Sequence, residues 1–339
     1  MKACYIHSAV SISAQKSFEV KSLDLVELSG EKAEAIAPNF KDYIAPMALR
    51  RMATGVKMGV TAASRALQNA GIQRPDAILT GTGMGCIEDT EKFLNSIIAH
   101  DEEFLTPTSF IQSTHNTVGA QIALGLQCKG YNNTYVHGAL SFESALLDGL
   151  LTIRQGEANS ILVGGIDELG TEFVDYVRMM EDQNENGIQV PMGEGASFFV
   201  LSPEKKINGI ELLDIKTFSK LSQNSLKDAL SNFLVKNKIH AESVDIVLLG
   251  TNGDGFDTFY TEVSQALPSH TKVLSYKQFS GEFYTASAFG LFLGCEILSS
   301  QQIPKAFLKN KESNESLKTI LLYNQFKGRD HSFILLRTC

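Results

Sequence analysis

Each half of this chain holds an apolar strand that runs into a glycine-rich turn and then a helix. Residues 76–80 (DAILT) lead into Gly81-Thr-Gly-Met-Gly-Cys86, and residues 244–249 (VDIVLL) lead into Gly250-Thr-Asn-Gly-Asp-Gly255. A strand apolar on both faces has to be covered on both, which helices on either side of a mostly parallel sheet provide. The neighbouring patterns repeat the unit. Strands are predicted over 2–13, 133–136, 160–163 and 197–201, the third closed by Gly164-Gly165. Apolar residues at helical spacing (Met52, Val56, Val60, Ala63, Leu67) predict a helix over 47–70 that stops at Gly71. Further helices are expected over 88–100, 117–126 (ended by Lys129-Gly130) and 141–155 (ended by Gly156). The second half answers with strands over 209–218 and 272–275, helices over 225–237, 256–267 and 285–299, and a closing hairpin of 319–323 with 332–336. The pattern predicts an α/β protein of two similar halves stacked face to face, residues 1–205 and 206–339. No low-complexity linker parts them, so they are expected to share one core.

Chemistry narrows the class. The net charge of −8, without basic runs, argues against nucleic acid or an anionic membrane as partner. The five cysteines are scattered with no CxxC pair, so neither a zinc site nor a disulfide framework is indicated, and no cofactor is. Residues 1–10 lack the long apolar region of a signal peptide, and no uncharged apolar run of about 18 residues is present. A cytoplasmic protein is expected, in which the sequons at Asn132 and Asn314 carry no meaning.

The glycine turns have two readings. Gly81 to Cys86 opens a helix, where backbone N–H groups can hold a phosphate, yet it is neither a P-loop nor a full GxGxxG; the plainer reading is a tight turn. In the second turn Asp254 and Asp257 suggest a cation, but the glutamate of an EF-hand loop is missing.

Four segments give the chain a family resemblance. Residues 154–168 (RQGEANSILVGGIDE), 193–201 (GEGASFFVL), 275–282 (SYKQFSGE) and 116–130 occur in the order seen in the β-ketoacyl synthases, condensing enzymes of the thiolase fold, and the chain resembles that family over nearly its whole length. The resemblance implies a layered αβαβα sandwich. It also implies a cysteine nucleophile that takes the acyl chain as a thioester, with two histidines that polarise the malonyl thioester and assist decarboxylation. Here the nucleophile position, 26 residues before Gly165, is Ala139. The first histidine position is Leu249, before Gly250-Thr251, and the second is Glu282; only the motif's lysine, Lys277, matches. Phe326 and Gly328 stand as remnants of a changed glycine-rich loop.

Loss of all three groups resembles the inactive chain-length factors that pair with a live ketosynthase in polyketide or aryl polyene synthesis and shape its acyl tunnel. The resemblance implies a dimer through the strand at 134–136, an active ketosynthase subunit or a second copy as partner, and an acyl carrier protein at the complex. Phe110, Ile111 and Gln112, in the segment that reaches across such dimers, are expected at the interface or the partner's tunnel, or else in this chain's core. Two alternatives stay open. Ser141 and His137, with Glu282 as orienter, have the residue types of a triad, against the plainer reading of Ser141 as a helix cap. A homodimeric scaffold that binds acyl chains or carrier protein is the other. His115 and His331 are expected to be structural.

Overall fold

The computed structural model describes residues 2–19, 22–103, 105–181, 187–308 and 316–339. The first half comprises β1 (Tyr5–Ile12), β2 (Lys32–Ala33), α1 (Pro46–Leu49), α2 (Thr54–Ala70), β3 (Ala77–Gly81), α3 (Ile87–Ala99), α4 (Pro107–Ser113), α5 (Thr117–Leu126), β4 (Tyr131–Tyr135), α6 (Ser141–Gln155), β5 (Ile161–Asp167), α7 (Thr171–Glu181), β6 (Met192–Gly193) and β7 (Gly195–Ser202). The second comprises β8 (Ile210–Ser219), α8 (Gln223–Lys236), β9 (Ile246–Leu249), α9 (Thr258–Gln265), β10 (Lys272–Ser275), α10 (Lys277–Ser280), α11 (Ala286–Ser300), β11 (Thr319–Phe326) and β12 (Asp330–Thr338).

Strand order makes the internal repeat explicit. The first half runs β4-β3-β5-β7-β1 and the second β10-β9-β11-β12-β8. In both, the three outer strands are parallel and the two inner ones antiparallel. The sheet is therefore mixed, not parallel-rich as the apolar strands suggested. Burial of both faces, not strand direction, is what an all-apolar strand reports. The halves meet where Tyr5 and Ile6 pair with Glu211 and Ile210.

Side-chain alternation builds the layers. Ile246 and Leu248 of β9 enter the central core with α6 and α11, while Val247 and Leu249 enter an outer core with α8 and α9. In the first half Leu79 and Val163 point inward and Ile78 and Leu162 point out to α2 and α5. Helix α11 is apolar on every side (Phe289, Leu291, Phe292, Leu293), as a helix packed between the two halves of the sheet must be. The result is the α/β sandwich αβαβα.

Three local expectations are corrected. The helix expected over 47–70 breaks between Leu49 and Thr54, with Ala53 extended (ψ 158°) and its N–H held by Gln112 Oε1 at 3.3 Å. Helix α5 ends at Gln127 in the left-handed region (φ 51°), before Lys129-Gly130. Gly164-Gly165 do not close β5; the strand runs through them to Asp167. A Cβ on Gly164 would lie 2.4 Å from the Phe198 ring and one on Gly165 2.9 Å from Ala288 Cβ, so these glycines serve close approach between layers, not a turn. The sequon at Asn314 lies outside the described residues.

Candidate functional site

Asp167, at the end of β5, ties the site together. Its Oδ1 accepts bonds from Thr82 Oγ1 (2.9 Å), Gly83 N (2.8 Å) and Met84 N (3.0 Å). Its Oδ2 accepts from the N and Oγ1 of Thr285, both at 2.9 Å, at the start of α11. Burial pushes the Asp167 carboxyl above its ordinary range, and the bonds from Met84, Thr285, Thr82 and Gly83 only partly offset it. The N–H groups of Gly83 and Met84 are thereby committed to a side chain of the same chain, which leaves the first glycine turn in its structural reading.

The nucleophile position sits in a single 3₁₀ turn, Gly138–Leu140, just before α6. Gly138 takes φ +56°, and Ala139 beside it is buried. Ser141 Oγ accepts from His137 N (2.9 Å) and donates to Gly138 O (2.7 Å). It thus closes this turn instead of capping α6. The His137 ring Nδ1 lies 2.9 Å from Ser144 Oγ, not from Ser141. Among the described residues no hydrogen bond joins the side chains of Ser141, His137 and Glu282.

The two histidine positions are equally committed. Leu249 turns its side chain into the outer core. Glu282 is buried, and its Oε2 lies 2.8 Å from Lys277 Nζ and accepts a 2.8 Å bond from Asn252 Nδ2. Lys277 is itself buried. Asn252, which the motif comparison passed over, comes from the second glycine turn. There Asp257 accepts from the N–H of Asn252 and of Gly253, and Asp254 accepts from Phe256 N. The carboxylates that suggested a cation hold the turn together, and among the described residues no group of three or more His, Cys, Asp or Glu is placed to hold a metal. Beside the turn, the hydroxyls of Tyr260 and Tyr276 both donate to Asn324 Oδ1, at 3.3 and 3.0 Å.

A cavity of about 160 Å³ opens on this site, lined by Met84, Glu282, Tyr284, Phe326 and the apolar face of α7 (Val174, Val177). Ala139 does not line it. Tyr284 was not singled out from the sequence. Its ring lies 5.4 Å from that of Phe326 and covers Gly83, on which a Cβ would come within 2.4 Å of Tyr284 carbons. The same ring lies 3.9 Å from the Cβ position of Gly138. Helix α7 was also missed, although Phe173, Val174, Val177 and Met180 repeat at helical spacing.

The segment at 106–114 forms α4. Phe110 and Ile111 are 55% and 54% exposed, so neither is core of this chain. Gln112 instead faces its own fold, with Oε1 on Ala53 N. Among the described residues strand β4 pairs only with β3, which leaves its other edge open, and Tyr131 and Val136 there are exposed. His115 is exposed beside Gly85. His331 is buried between Tyr323 and Phe259, with Nδ1 2.9 Å from Tyr323 Oη and Nε2 3.2 Å from Gly328 O.

Two buried carboxyls stand out. Glu168 accepts from the N–H of Gly55 (3.1 Å) and of Glu88 (3.3 Å), and burial pushes it up to about 7. Glu143, fully buried in α6, is also pushed up to about 7 by burial. Its Oε1 accepts from Ser332 Oγ at 3.0 Å, and the Ser287 hydroxyl also works to lower the carboxyl's pKa.

Residues 28–188 match the β-ketoacyl synthase N-terminal domain family. No curated protein sequence matches the chain. Among solved structures, the ishigamide ketosynthase/chain length factor superimposes with a TM-score of 0.82 at 16% identity, covering 100% of this chain and 99% of the other. A β-ketoacyl synthase from Burkholderia phymatum STM815 gives 0.78 at 15% identity, with 100% of both chains covered. The ketosynthase ApeO in complex with its chain length factor ApeC, from Xenorhabdus doucetiae, gives 0.77 at 14%, covering 100% of this chain and 98% of that one. The shared fold is thiolase-like. No helix among the described residues is long and apolar enough to cross a membrane.

Proposed function

We propose that this chain, whose residues 28–188 match the β-ketoacyl synthase N-terminal domain, is the non-catalytic, chain-length-factor-like subunit of a ketosynthase heterodimer. The observation that carries this reading is the state of the three reactive positions. A thioester needs a nucleophile, and Ala139 offers a methyl group. Polarising a malonyl carbonyl needs a donor free to point at it. Leu249 has none, and Glu282 is spent on Lys277 and Asn252. Attack by Ser141 is not favoured, because its hydroxyl closes its own turn while His137 faces Ser144. The halves are divided at 205/206, between β7 and β8.

The partner in this reading is an active β-ketoacyl-ACP synthase of fatty-acid, polyketide or aryl polyene synthesis. It docks on the open edge of β4, an edge that needs a partner to avoid indiscriminate pairing. Phe110 and Ile111 extend that surface, and the acyl carrier protein engages the assembled pair. The test is co-expression with an intact ketosynthase from the same genome, followed by size exclusion. A 1:1 complex is expected, and Phe110→Asp or Ile111→Asp weakens it by about 2 kcal/mol, roughly 30-fold. A stable homodimer that ignores the ketosynthase contradicts the pairing and favours the scaffold alternative.

A further inference from the structure

Ala139 does not line the cavity beside Glu282, whereas Tyr284 lines that cavity and also approaches the turn that carries Ala139. Its ring packs on Gly83 on one side, approaches Gly138 on the other and leans on Phe326 at the cavity wall. Its main chain cannot readily withdraw. Glu282 is fixed by Glu282 N to Pro191 O (2.8 Å) and Gly193 N to Glu282 O (2.9 Å), and Thr285 is fixed by Asp167. A side chain at 139 attacks an acyl thioester only if the carbonyl carbon comes within about 3–3.5 Å of it. A chain entering through the cavity meets the Tyr284 ring first.

We propose that Tyr284 is an occlusion residue that keeps carrier-bound thioesters away from position 139. The chain is thereby closed twice to acyl transfer, once by the missing thiol and once by the ring. Restoring a cysteine alone leaves it unreachable. The proposal deepens the reading of this site as a disused ketosynthase site, but its test needs neither partner nor turnover, so its failure is distinct from failure of the pairing.

The experiment places a thiol at the turn with Ala139→Cys and follows alkylation by iodoacetamide in the folded protein, resolved peptide by peptide. Exposed Cys339 serves as the fast reference and buried Cys295 as the slow one. With Tyr284 present, Cys at 139 is expected to react as slowly as Cys295. Adding Tyr284→Ala speeds it at least tenfold while Cys295 stays slow, and adding Tyr284→Phe, which keeps the ring, does not. Tyr284→Leu, which retains packing on Gly83, gives an intermediate rate and serves in place of alanine if Cys295 becomes reactive. Alkylation of the single variant at a rate close to that of Cys339, or no acceleration on removing the ring, overturns the proposal.

Discussion

Lys277→Met is expected to destabilise the fold by about 3–5 kcal/mol, because it leaves the Glu282 carboxylate buried without its counter-charge. Both partners are almost wholly enclosed, and the Nζ–Oε2 distance is 2.8 Å. Asn252 supplies one neutral donor to the same oxygen, which does not offset the loss of a full charge. The double variant Lys277→Met/Glu282→Gln removes both charges and keeps an amide oxygen for Asn252. It is expected to lie within about 1–2 kcal/mol of the parent, since replacing a buried pair outright is often nearly neutral. Chemical denaturation of the parent, Lys277→Met, Glu282→Gln and the double variant gives the coupling between the sites. Additive losses, with no coupling, would sink the claim that Lys277 and Glu282 form a structural ion pair.

The second large effect concerns pH. The Glu143 carboxyl is held near 7 in the fold against an ordinary value of 4.5, burial being the cause. A carboxyl raised in this way contributes its stability in full below pH 4.5. The contribution is lost as pH rises through 7, because the folded state must then hold a charge that the unfolded state carries in water. The shift corresponds to about 3 kcal/mol. Glu143→Gln keeps a polar group against Ser332 without the charge. The difference in stability between parent and variant should therefore change by about 3 kcal/mol in the variant's favour between pH 4.5 and pH 8. A difference that stays flat across this range would show that Glu143 is not the source. Comparing the two proteins cancels the contribution of Glu168, which titrates in the same window.

Much of this was legible in the residues. The echo of 76–80 in 244–249 gives two half-sheets of matching order, and the bounds of α6 and β10 follow from the flanking signals. What failed has physical causes. Strand direction is not written in an apolar run, so the mixed sheet was missed. Gly164-Gly165 look like a stop, whereas their meaning is the Phe198 ring and Ala288 pressed against them from β7 and α11. Helix α4 has only seven residues, too few for periodicity to register.

The site divides along the same line. The residue types are local: the sequence alone shows Ala139 standing 26 residues before Gly165, Leu249 before Gly250-Thr251, and Glu282 at the end of the 275–282 segment. Replacement is non-local. That Glu282 meets Asn252, that Asp167 gathers the first glycine turn and α11, and that Tyr284 stands against both Gly83 and Gly138 depend on contacts across many residues of chain. No spacing rule encodes them. Exposure of Phe110 and Ile111 beside a buried Gln112 belongs to the same class, since three adjacent residues on a short helix face different surroundings.

The central claim is that acyl chemistry happens on the partner and never on this chain. Intact mass of the co-purified complex, after feeding acyl- and malonyl-loaded carrier protein, tests it most directly. Acyl mass on the ketosynthase alone, with this chain unchanged, is the result expected. An acyl adduct on this chain, above all one that maps to Ser141 and vanishes in Ser141→Ala, would contradict it.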